Sequence, residues 1–490
     1  MSVEEKKDSI LKSALIGSAS LVTVFIGLVK VKFLAVYLGP SGVGYMSILT
    51  TLLTAGVSFF GLGLITSGVR EIASKSNEKD ECYKLGKTIV YLNFSLGLIG
   101  FLTISLLKNK ISNYLFGGEE YAGFIFLVAV GVFFGVVSNS YQIILQGLRD
   151  IKSLAIIKVV SAAFAGVFSV FFILEGGDNA TALFVISAPI SLLITSFYWF
   201  RKKLVCYSSF KPRFGVRDLL AFSPNVISML KLGSVFMLAG LLGTGTLFVI
   251  KSYINKQIGI DEVGYFQSAW QISVTYIGFV LTAMAADYYP RLVESIKSKE
   301  KSVKIVNQQT EVALILSIPV LMVVVSSSKY VIELLYSSEF MSAASILKWQ
   351  VAGDFLKVVS WPLGFIALAH GKAKVYFISE LIWNISYIVL VYLLLPEYGI
   401  ESLGYSFFIS YLFVTAYMCI YAYLAIDFKW SKSNLRLMFI AMVALLSILA
   451  CDFFVGIYAT LIGLSIAFLF SIYSLRYLYN IGFLKFQYKR

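Results

Sequence analysis

The sequence predicts an all-α, polytopic membrane protein with about 14 transmembrane helices, built as two six-helix lobes related by a parallel pseudo-two-fold repeat and followed by two further helices. Three observations lead to this fold class: apolar segments fill the whole chain, basic residues gather on alternate loops, and loop motifs recur at one fixed spacing. The predicted parts are an N-lobe over 1–200, a cytoplasmic linker over 201–231, a C-lobe over 232–425, and two extra helices with a basic tail over 426–490.

The composition separates this chain from soluble proteins. Of its 490 residues, 58% are hydrophobic and 14% are charged, and the mean hydropathy is +0.83. A helix needs roughly 20 apolar residues to cross the hydrocarbon core, and segments of that length follow one another along the chain, beginning with 13–37 and 45–68. The alternating segments of about 10 residues that indicate a transmembrane β-barrel are absent from the sequence. Helical spans are expected because unpaired backbone groups cannot face lipid.

The distribution of Lys and Arg gives the spans a direction. With the N-terminus placed inside, 32 of the 41 basic residues fall in inside loops and ends, 6 in outside loops and 3 within spans. This bias is the one that the positive-inside rule describes, so both termini are expected in the cytoplasm. Lys251 is counted here among the outside-loop residues. The net charge of +14 is therefore mainly a topology signal, and no nucleic-acid partner is expected.

Two loop motifs recur at a spacing of 220 residues. "YLGPSGVGY" at 37–45 pairs with "QIGIDEVGY" at 257–265, and "LFGGEEYA" at 115–122 pairs with "LYSSEFMS" at 335–342. Both pairs fall at predicted outside loops. An even number of spans in each half makes the halves run in the same direction, as in a parallel repeat about an axis along the membrane normal. Two like lobes around a central cavity suit alternating access.

The predicted span 346–369 carries a polar stripe. At about 100° per residue, four of its side chains fall within about 60° of one another. These side chains are Gln350, Asp354, Lys357 and Trp361. Charges are costly in lipid, so this stripe is expected to face protein or a water-filled cavity. The alternative is a local ion pair between Asp354 and Lys357 that only fixes helix packing.

Two further spans offer candidates for a cavity. Gln267, Trp270 and Gln271 are candidate lining residues of the eighth span. Lys30 and Lys32 lie about 200° apart on the first span, so they cannot both point to the same side. Periodicity favours Lys30 because its face is the more polar. For either lysine, the alternative is a side chain that extends to the membrane interface.

Charged residues also stand at the predicted cytoplasmic ends of spans. They are Arg70, Arg149, Asp287 and Arg291. These residues are candidates for gate contacts between the lobes or for simple anchors at the membrane interface.

Signatures of catalysis and metal binding are missing from the sequence. No GxxxxGK[ST], DxD, HExxH or GxSxG motif occurs, and four cysteines with one histidine do not give a zinc-site spacing. No enzyme activity, metal or cofactor is therefore expected. Three lysines within spans outnumber the one acid near mid-membrane, Asp354. A cavity bearing lysines favours an anionic ligand such as a phosphate or pyrophosphate.

Several segments resemble the Wzx polysaccharide flippases, which belong to the MOP superfamily together with MATE exporters. The segments are "KFLAVYLGPSGVG" at 32–44, "QGLRD" at 146–150, "DEVGYFQSAWQIS" at 261–273, "WQVAGDFLKV" at 349–358 and "YFISE" at 376–380. The resemblance covers most of residues 10–425. It is greatest to the branch that contains O-antigen translocases and the lipid III flippase of enterobacterial common antigen.

The resemblance implies a V-shaped MATE/MOP-like fold with a cationic lumen in the bacterial inner membrane. The implied substrate is an undecaprenyl-pyrophosphate-linked oligosaccharide of lipopolysaccharide or a related polysaccharide, moved from the cytoplasmic to the periplasmic leaflet. Besides membrane lipids, the implied partners are a polysaccharide polymerase and a chain-length regulator. Within "KFLAV" the resemblance points to Lys32, whereas periodicity favours Lys30, so both residues remain candidates.

These roles combine into one hypothesis. Lys30 or Lys32, with Lys357, would hold the pyrophosphate, and Asp354 would couple flipping to a gradient of H⁺, Na⁺ or Cl⁻. The residues expected to meet the glycan or line the cavity are Gln267, Trp270, Gln271, Gln350 and Trp361. A cation or drug antiporter of the same fold and a polyprenyl-linked membrane glycosyltransferase or ligase are the alternatives.

Overall fold

The computed structural model describes residues 3–75, 78–204, 224–454 and 458–480. Within these residues every regular element is helical and no strand occurs. The predicted all-α fold class is therefore confirmed. Eleven segments of the described residues are long and apolar enough to cross a membrane.

The chain divides into two compact units, of which the first comprises Met1–Gly264. The helices of this unit are α1 (Val3–Phe60), α2 (Leu64–Ser74), α3 (Lys79–Leu106), α4 (Lys108–Phe116), α5 (Ala122–Gly147), α6 (Ile151–Glu175), α7 (Ala180–Leu204) and α8 (Pro224–Gln257). Its last five residues already belong to the next helix.

The second unit comprises Tyr265–Arg490. Its helices are α9 (Ile260–Ser295), which begins in the first unit, α10 (Lys299–Ser326), α11 (Ser328–Leu335), α12 (Ala343–Ala369), α13 (Ala373–Tyr398), α14 (Ser402–Ile426), α15 (Lys432–Phe454) and α16 (Tyr458–Asn480).

The loop predicted between the first two spans is a kink within α1. Gly39 has φ 61° and ψ −164°, and Pro40 follows it inside the helix. Glycine tolerates this positive φ because it has no Cβ, and proline lacks the N–H that would complete the helical hydrogen bond. The apolar segment 17–60 therefore contains two predicted spans, as does the segment 373–426. The predicted number of fourteen spans stays a prediction.

Helix α8 packs within the first unit, against α1, α2 and α4. The sequence assigned it to the C-lobe, and this lobe boundary stays a prediction. The predicted linker over 201–231 is too long at both ends, because α7 continues to Leu204 and α8 begins at Pro224. The rest of that linker, residues 205–223, lies outside the described residues.

Helix bounds and ring contacts support the predicted repeat. A shift of 220 residues carries both ends of α3 onto the ends of α10, and the start of α4 onto the start of α11. In the first unit Tyr45 packs on Phe116, with ring centroids 5.4 Å apart. In the second unit its counterpart Tyr265 packs on Phe340 at 6.0 Å. The axis that would relate the two repeats stays a prediction.

Helix α12 is the most buried helix of the second unit that carries candidate site residues, and it packs closely against α10 and α14. Two glycines permit the close approach to α14. A Cβ on Gly353 would overlap the ring of Phe407, and a Cβ on Gly404 would overlap Trp349. Small residues at such interfaces let transmembrane helices approach closely. The polar stripe of α12 is thereby placed inside the protein.

Candidate functional site

Asp354 is fully buried on α12 and faces α9. Its Oδ2 accepts hydrogen bonds from Ser273 Oγ at 2.6 Å and from the Tyr276 hydroxyl at 2.5 Å. Its Oδ1 is buried and has no hydrogen-bond partner among the described residues. Asp354 therefore looks at two hydroxyl groups of a neighbouring helix, and one oxygen of its carboxylate keeps its full bonding capacity.

Lys357 lies one turn beyond Asp354 on the same side of α12, but the two do not form an ion pair. Its Nζ stands 5.7 Å from the ring centroid of Tyr411 on α14. Within the described part of the chain no carboxylate oxygen lies within ion-pair distance of this Nζ. Lys357 is half-buried. Its charge is therefore held near an aromatic ring, an arrangement that cations favour, and is not neutralised by an acid.

Gln350 lies one turn before Asp354 and is also fully buried. Neither its Nε2 nor its Oε1 has a hydrogen-bond partner among the described residues. Buried polar groups in proteins are nearly always paired with protein or water. Gln350 and the free Asp354 oxygen thus give α12 a continuous polar face inside the second unit, as the stripe predicts.

An aromatic cluster borders this polar face. Trp270 on α9 stacks on Tyr387 of α13 with ring centroids 6.4 Å apart and an interplanar angle of 15°. It also contacts Trp383 at 6.2 Å and Phe407 at 5.8 Å. Trp383 in turn packs 6.1 Å from Tyr411, the ring below Lys357. Of these residues, the sequence singled out only Trp270 and Lys357.

The structure does not place all of the predicted lining residues beside Asp354. On α9, Gln267 and Gln271 are about 140–200° away from Ser273 and Tyr276 at 100° per residue, so the two amides lie on the opposite side of that helix. Both are half-buried. The Gln271 amide donates to the hydroxyl of Thr275, one turn along the same helix, at 3.2 Å.

Trp361 lies two turns beyond Asp354, in a different aromatic cluster. Its ring is 5.9 Å from that of Tyr288 and 4.8 Å from that of Phe365. Its contacts are those of a residue at the edge of the hydrophobic core, so a role in meeting the glycan stays a prediction.

In the first unit, Lys30 points from α1 toward α7. Its Nζ donates to Ser187 Oγ at 3.1 Å and lies 4.2 Å from the ring centroid of Phe184. Ser187 is itself 2.8 Å from the hydroxyl of Ser169 on α6. Lys32 is half-buried as well. The structure thus shows a hydroxyl-lined position for Lys30, and the choice between the two lysines stays open.

A buried lysine in the first unit was missed by the sequence analysis. Lys251 lies within α8 and not in an outside loop, because the helix continues to Gln257. Its side chain is 4% exposed, and its Nζ donates to Thr51 Oγ1 of α1 at 2.8 Å. No carboxylate pairs with it among the described residues. A lysine at the end of an apolar segment looks like a loop residue, so only packing could identify it.

The candidate gate residues are exposed where the structure describes them. Arg70 lies near the end of α2, and Arg291 lies in α9. Arg149 has φ 55° in the turn between α5 and α6, where the Asp150 side chain caps α6 by accepting from Ser153 N–H. The side chain of Asp287 lies outside the described residues. Their part in gating stays a prediction.

Comparisons with known proteins agree with this picture. The sequence profile of a family described as "Polysaccharide biosynthesis protein" matches residues 10–296. The lipid III flippase of Escherichia coli K12 is 24% identical over 433 residues, which cover 84% of this chain and 97% of that protein. A putative O-antigen transporter of Shigella flexneri is 23% identical over 399 residues, which cover 79% of this chain and 90% of its own length.

Solved structures show the same fold. The lipid II flippase MurJ in an inward closed conformation matches with a TM-score of 0.72 and 15% identity, covering 95% of this chain and 99% of that one. An inward-facing MATE transporter of the MOP superfamily matches with a TM-score of 0.67 and 16% identity, covering 83% of this chain and 94% of that one. The predicted MATE/MOP-like fold and the predicted resemblance to polysaccharide flippases are confirmed.

The helices and these relatives make the chain a multi-pass membrane protein. The family profile covers more than half of its length. The chain therefore belongs to the polysaccharide biosynthesis protein family, among the flippase-like members of the MOP superfamily.

Proposed function

We propose that this protein is a flippase that moves an undecaprenyl-pyrophosphate-linked oligosaccharide from the cytoplasmic to the periplasmic leaflet of the bacterial inner membrane. The family and the names of its relatives support a lipid-linked glycan as substrate. In this proposal both termini are cytoplasmic, and a polysaccharide polymerase and chain-length regulator receive the product.

The observation that carries the proposal is the state of the membrane-embedded lysines. Lys30 and Lys357 contact a hydroxyl and aromatic rings, and neither pairs with a carboxylate among the described residues. Their positive charges therefore remain available to a ligand. A pyrophosphate gains charge-assisted contacts from such lysines, and these contacts are stronger where water is scarce. We assign the pyrophosphate to these lysines, with Lys32 as the alternative to Lys30.

Asp354 suits the coupling role because of how its two oxygens are held. Ser273 and Tyr276 bind Oδ2 only, so a proton or cation can join Oδ1 without breaking either bond. Loss of the negative charge would then change the field around Lys357, one turn away. The protein needs such a coupling because its sequence contains no P-loop for ATP hydrolysis.

The glycan role falls to the aromatic cluster around Trp270. Sugar rings pack on aromatic faces, and the cluster adjoins the polar face of α12 through Tyr411 and Lys357. Gln350 adds an amide that has bonding capacity left. Gln267, Gln271 and Trp361 are less favoured in this role, because their described contacts lie elsewhere.

A leaflet-quenching assay in proteoliposomes tests the proposal. The probe is a fluorescent polyprenyl-pyrophosphate oligosaccharide, without ATP and with a proton gradient present or absent. Flipping should accelerate with the protein, and should fall about tenfold in Lys357→Ala. Lys299→Ala is the control, because Lys299 is an exposed partner of Asp427. Equal losses in both variants would contradict the assignment of the pyrophosphate.

The coupling role has its own variant. Asp354→Asn keeps an acceptor for Ser273 and Tyr276 but cannot exchange a proton. It should therefore flip at a rate that no longer depends on the gradient. Full activity with unchanged gradient dependence would remove Asp354 from the coupling step.

A cation antiporter is the second candidate, and the buried carboxylate of Asp354 within a MATE-like fold is the observation that favours it. Gradient-driven uptake of a cationic dye, together with no flipping of any glycan tested, would establish it. That result would also remove the lysines from the substrate site.

A further inference from the structure

Two glycines in the first unit make a reciprocal contact between backbones. A Cβ on Gly44 would overlap the carbonyl oxygen of Ile260, and a Cβ on Gly264 would overlap the carbonyl oxygen of Pro40. Gly44 lies in α1 just after its kink, whereas Gly264 lies in the first turn of α9. Each glycine therefore accepts the backbone of the segment that carries the other.

The four residues of this contact are equivalent in the predicted repeat. The spacing of 220 residues that pairs the two loop motifs also pairs Pro40 with Ile260 and Gly44 with Gly264. When residue i contacts j and the counterpart of j contacts the counterpart of i, the contact has the form made about a two-fold axis. The next pair, Val43 and Val263, is completely buried on both sides.

A second glycine contact holds the other end of α8. A Cβ on Gly63, between α1 and α2, would overlap the carbonyl oxygen of Gly233 in α8. A Cβ on Gly233 would in turn overlap the carbonyl oxygen of Leu62. Between the two ends, Lys251 of α8 bonds to Thr51 of α1. Helix α8 and the turn after it are thus joined to the segment from Pro40 to Gly63 at both ends.

We propose that these glycine contacts are two releasable closures: the Gly44–Gly264 contact closes the outside end of the α1–α8 packing, and the Gly63–Gly233 contact closes its cytoplasmic end. The assignment of ends follows from the charge bias of the loops. The inference rests on the proposed flipping by alternating access, which requires one end to open while the other stays closed.

The chemistry of the contacts suits repeated opening. Each closure joins bare backbone atoms, so few van der Waals contacts are lost when it separates, and each is worth little alone. No side chains interdigitate there to hold it shut. A single methyl group at either glycine would overlap a carbonyl oxygen and prevent closure. The state of each end should therefore respond to side-chain volume at one position.

Thiol labelling measures each end separately. In a variant whose four native cysteines are replaced by serine, Val263→Cys reports the outside end and Ser67→Cys reports the cytoplasmic end. Both positions are buried in the closed contacts, and the Ser67 hydroxyl lies beside Gly233. A membrane-impermeant maleimide is added to spheroplasts for the first reporter and to inside-out vesicles for the second.

Each alanine variant should open one end only. Gly44→Ala or Gly264→Ala should raise labelling at Val263→Cys about tenfold and leave Ser67→Cys unchanged. Gly233→Ala should do the reverse. Gly245→Ala is the matched control, because a Cβ on this glycine of α8 meets no described atom within 4 Å, and it should change neither rate.

Three results separate the proposal from its alternatives. Unchanged labelling in folded Gly44→Ala and Gly264→Ala protein would overturn it, and so would labelling that rises together at both ends, which would mean loosened packing. The labelling requires no substrate. End-specific labelling in a protein that flips no glycan would therefore retain the closures and remove only the proposed substrate.

Discussion

Replacing Tyr276 with Phe removes one of the two hydroxyls that donate to Asp354 and leaves the ring in place. Both partners are in the interior of the second unit, and the donor–acceptor distance is 2.5 Å. The remaining donor is Ser273, at 2.6 Å. We therefore expect the hydrogen bond itself to account for most of the change in stability.

The magnitude follows from two bounds. Hydrogen bonds to charged groups contribute about 1.5–3 kcal/mol in soluble proteins. Side-chain hydrogen bonds in a membrane protein average about 0.6 kcal/mol and reach about 1.7 kcal/mol, because the unfolded chain in the membrane also finds partners. The bond from Tyr276 to Asp354 is short and buried, so it should lie near the upper membrane value. We expect a coupling energy of about 1.5 kcal/mol.

A double-mutant cycle measures this coupling. Tyr276→Phe, Asp354→Leu and the double variant are unfolded by SDS titration in mixed micelles, and the free energies of unfolding are compared. Leu is close to Asp in size and accepts no hydrogen bond. The control is Tyr288→Phe, also on α9, whose hydroxyl donates to the carbonyl oxygen of Pro362 at 2.8 Å and not to Asp354.

The control and the test must differ for the reasoning to hold. Tyr288→Phe shares no partner with Asp354, so its effect should add to that of Asp354→Leu within about 0.5 kcal/mol. Additive effects of Tyr276→Phe and Asp354→Leu, equal to those of the control, would refute the idea that Tyr276 holds this carboxylate.

Two other changes have defined outcomes. Gly353→Ala should lower the free energy of unfolding by about 1–3 kcal/mol, because its methyl group would overlap the ring of Phe407; Gly364→Ala, where the nearest atom is 3.9 Å away, should change it by less than about 0.5 kcal/mol in the same SDS titration. Lys30→Gln should reduce flipping of the pyrophosphate probe about tenfold without loss of folded protein, because Ser187 keeps its other hydrogen-bond partners. Wild-type flipping by Lys30→Gln would remove this lysine from the substrate site.

Much of the helical architecture could be read from hydropathy. The predicted span 346–369 ends at the last residue of α12 and begins three residues after its start. The first two spans were less tractable, because Gly39 and Pro40 are turn-forming residues in most contexts. In the structure Gly39 takes the one strained conformation, and the helix resumes immediately. Local sequence signals a break there but does not distinguish a kink from a loop.

The candidate site shows a different limit. Periodicity placed Asp354 inside the protein but could not identify what it faces. On α9 the conspicuous polar residues are Gln267 and Gln271, whereas the residues that bind Asp354 are Ser273 and Tyr276 on the other side of that helix. Hydroxyl groups lower the hydropathy of a span only slightly, so they give little periodic signal. Helix rotation is decided by packing, and here the close contact of Gly353 with Phe407 fixes how α12 is presented.

The buried charges share a property that bears on transport. Lys30 and Lys251 donate to hydroxyls, and Asp354 accepts from hydroxyls; in the described residues none of the three is paired with an opposite charge. The exposed pair of Lys299 and Asp427 shows that the chain does form ion pairs, there at 2.6 Å. A buried ion pair would cost several kcal/mol to break once one partner is removed, and it would neutralise a lysine before an anionic ligand arrived. A hydroxyl contact costs less to exchange, so these charges can change partners as the protein changes state.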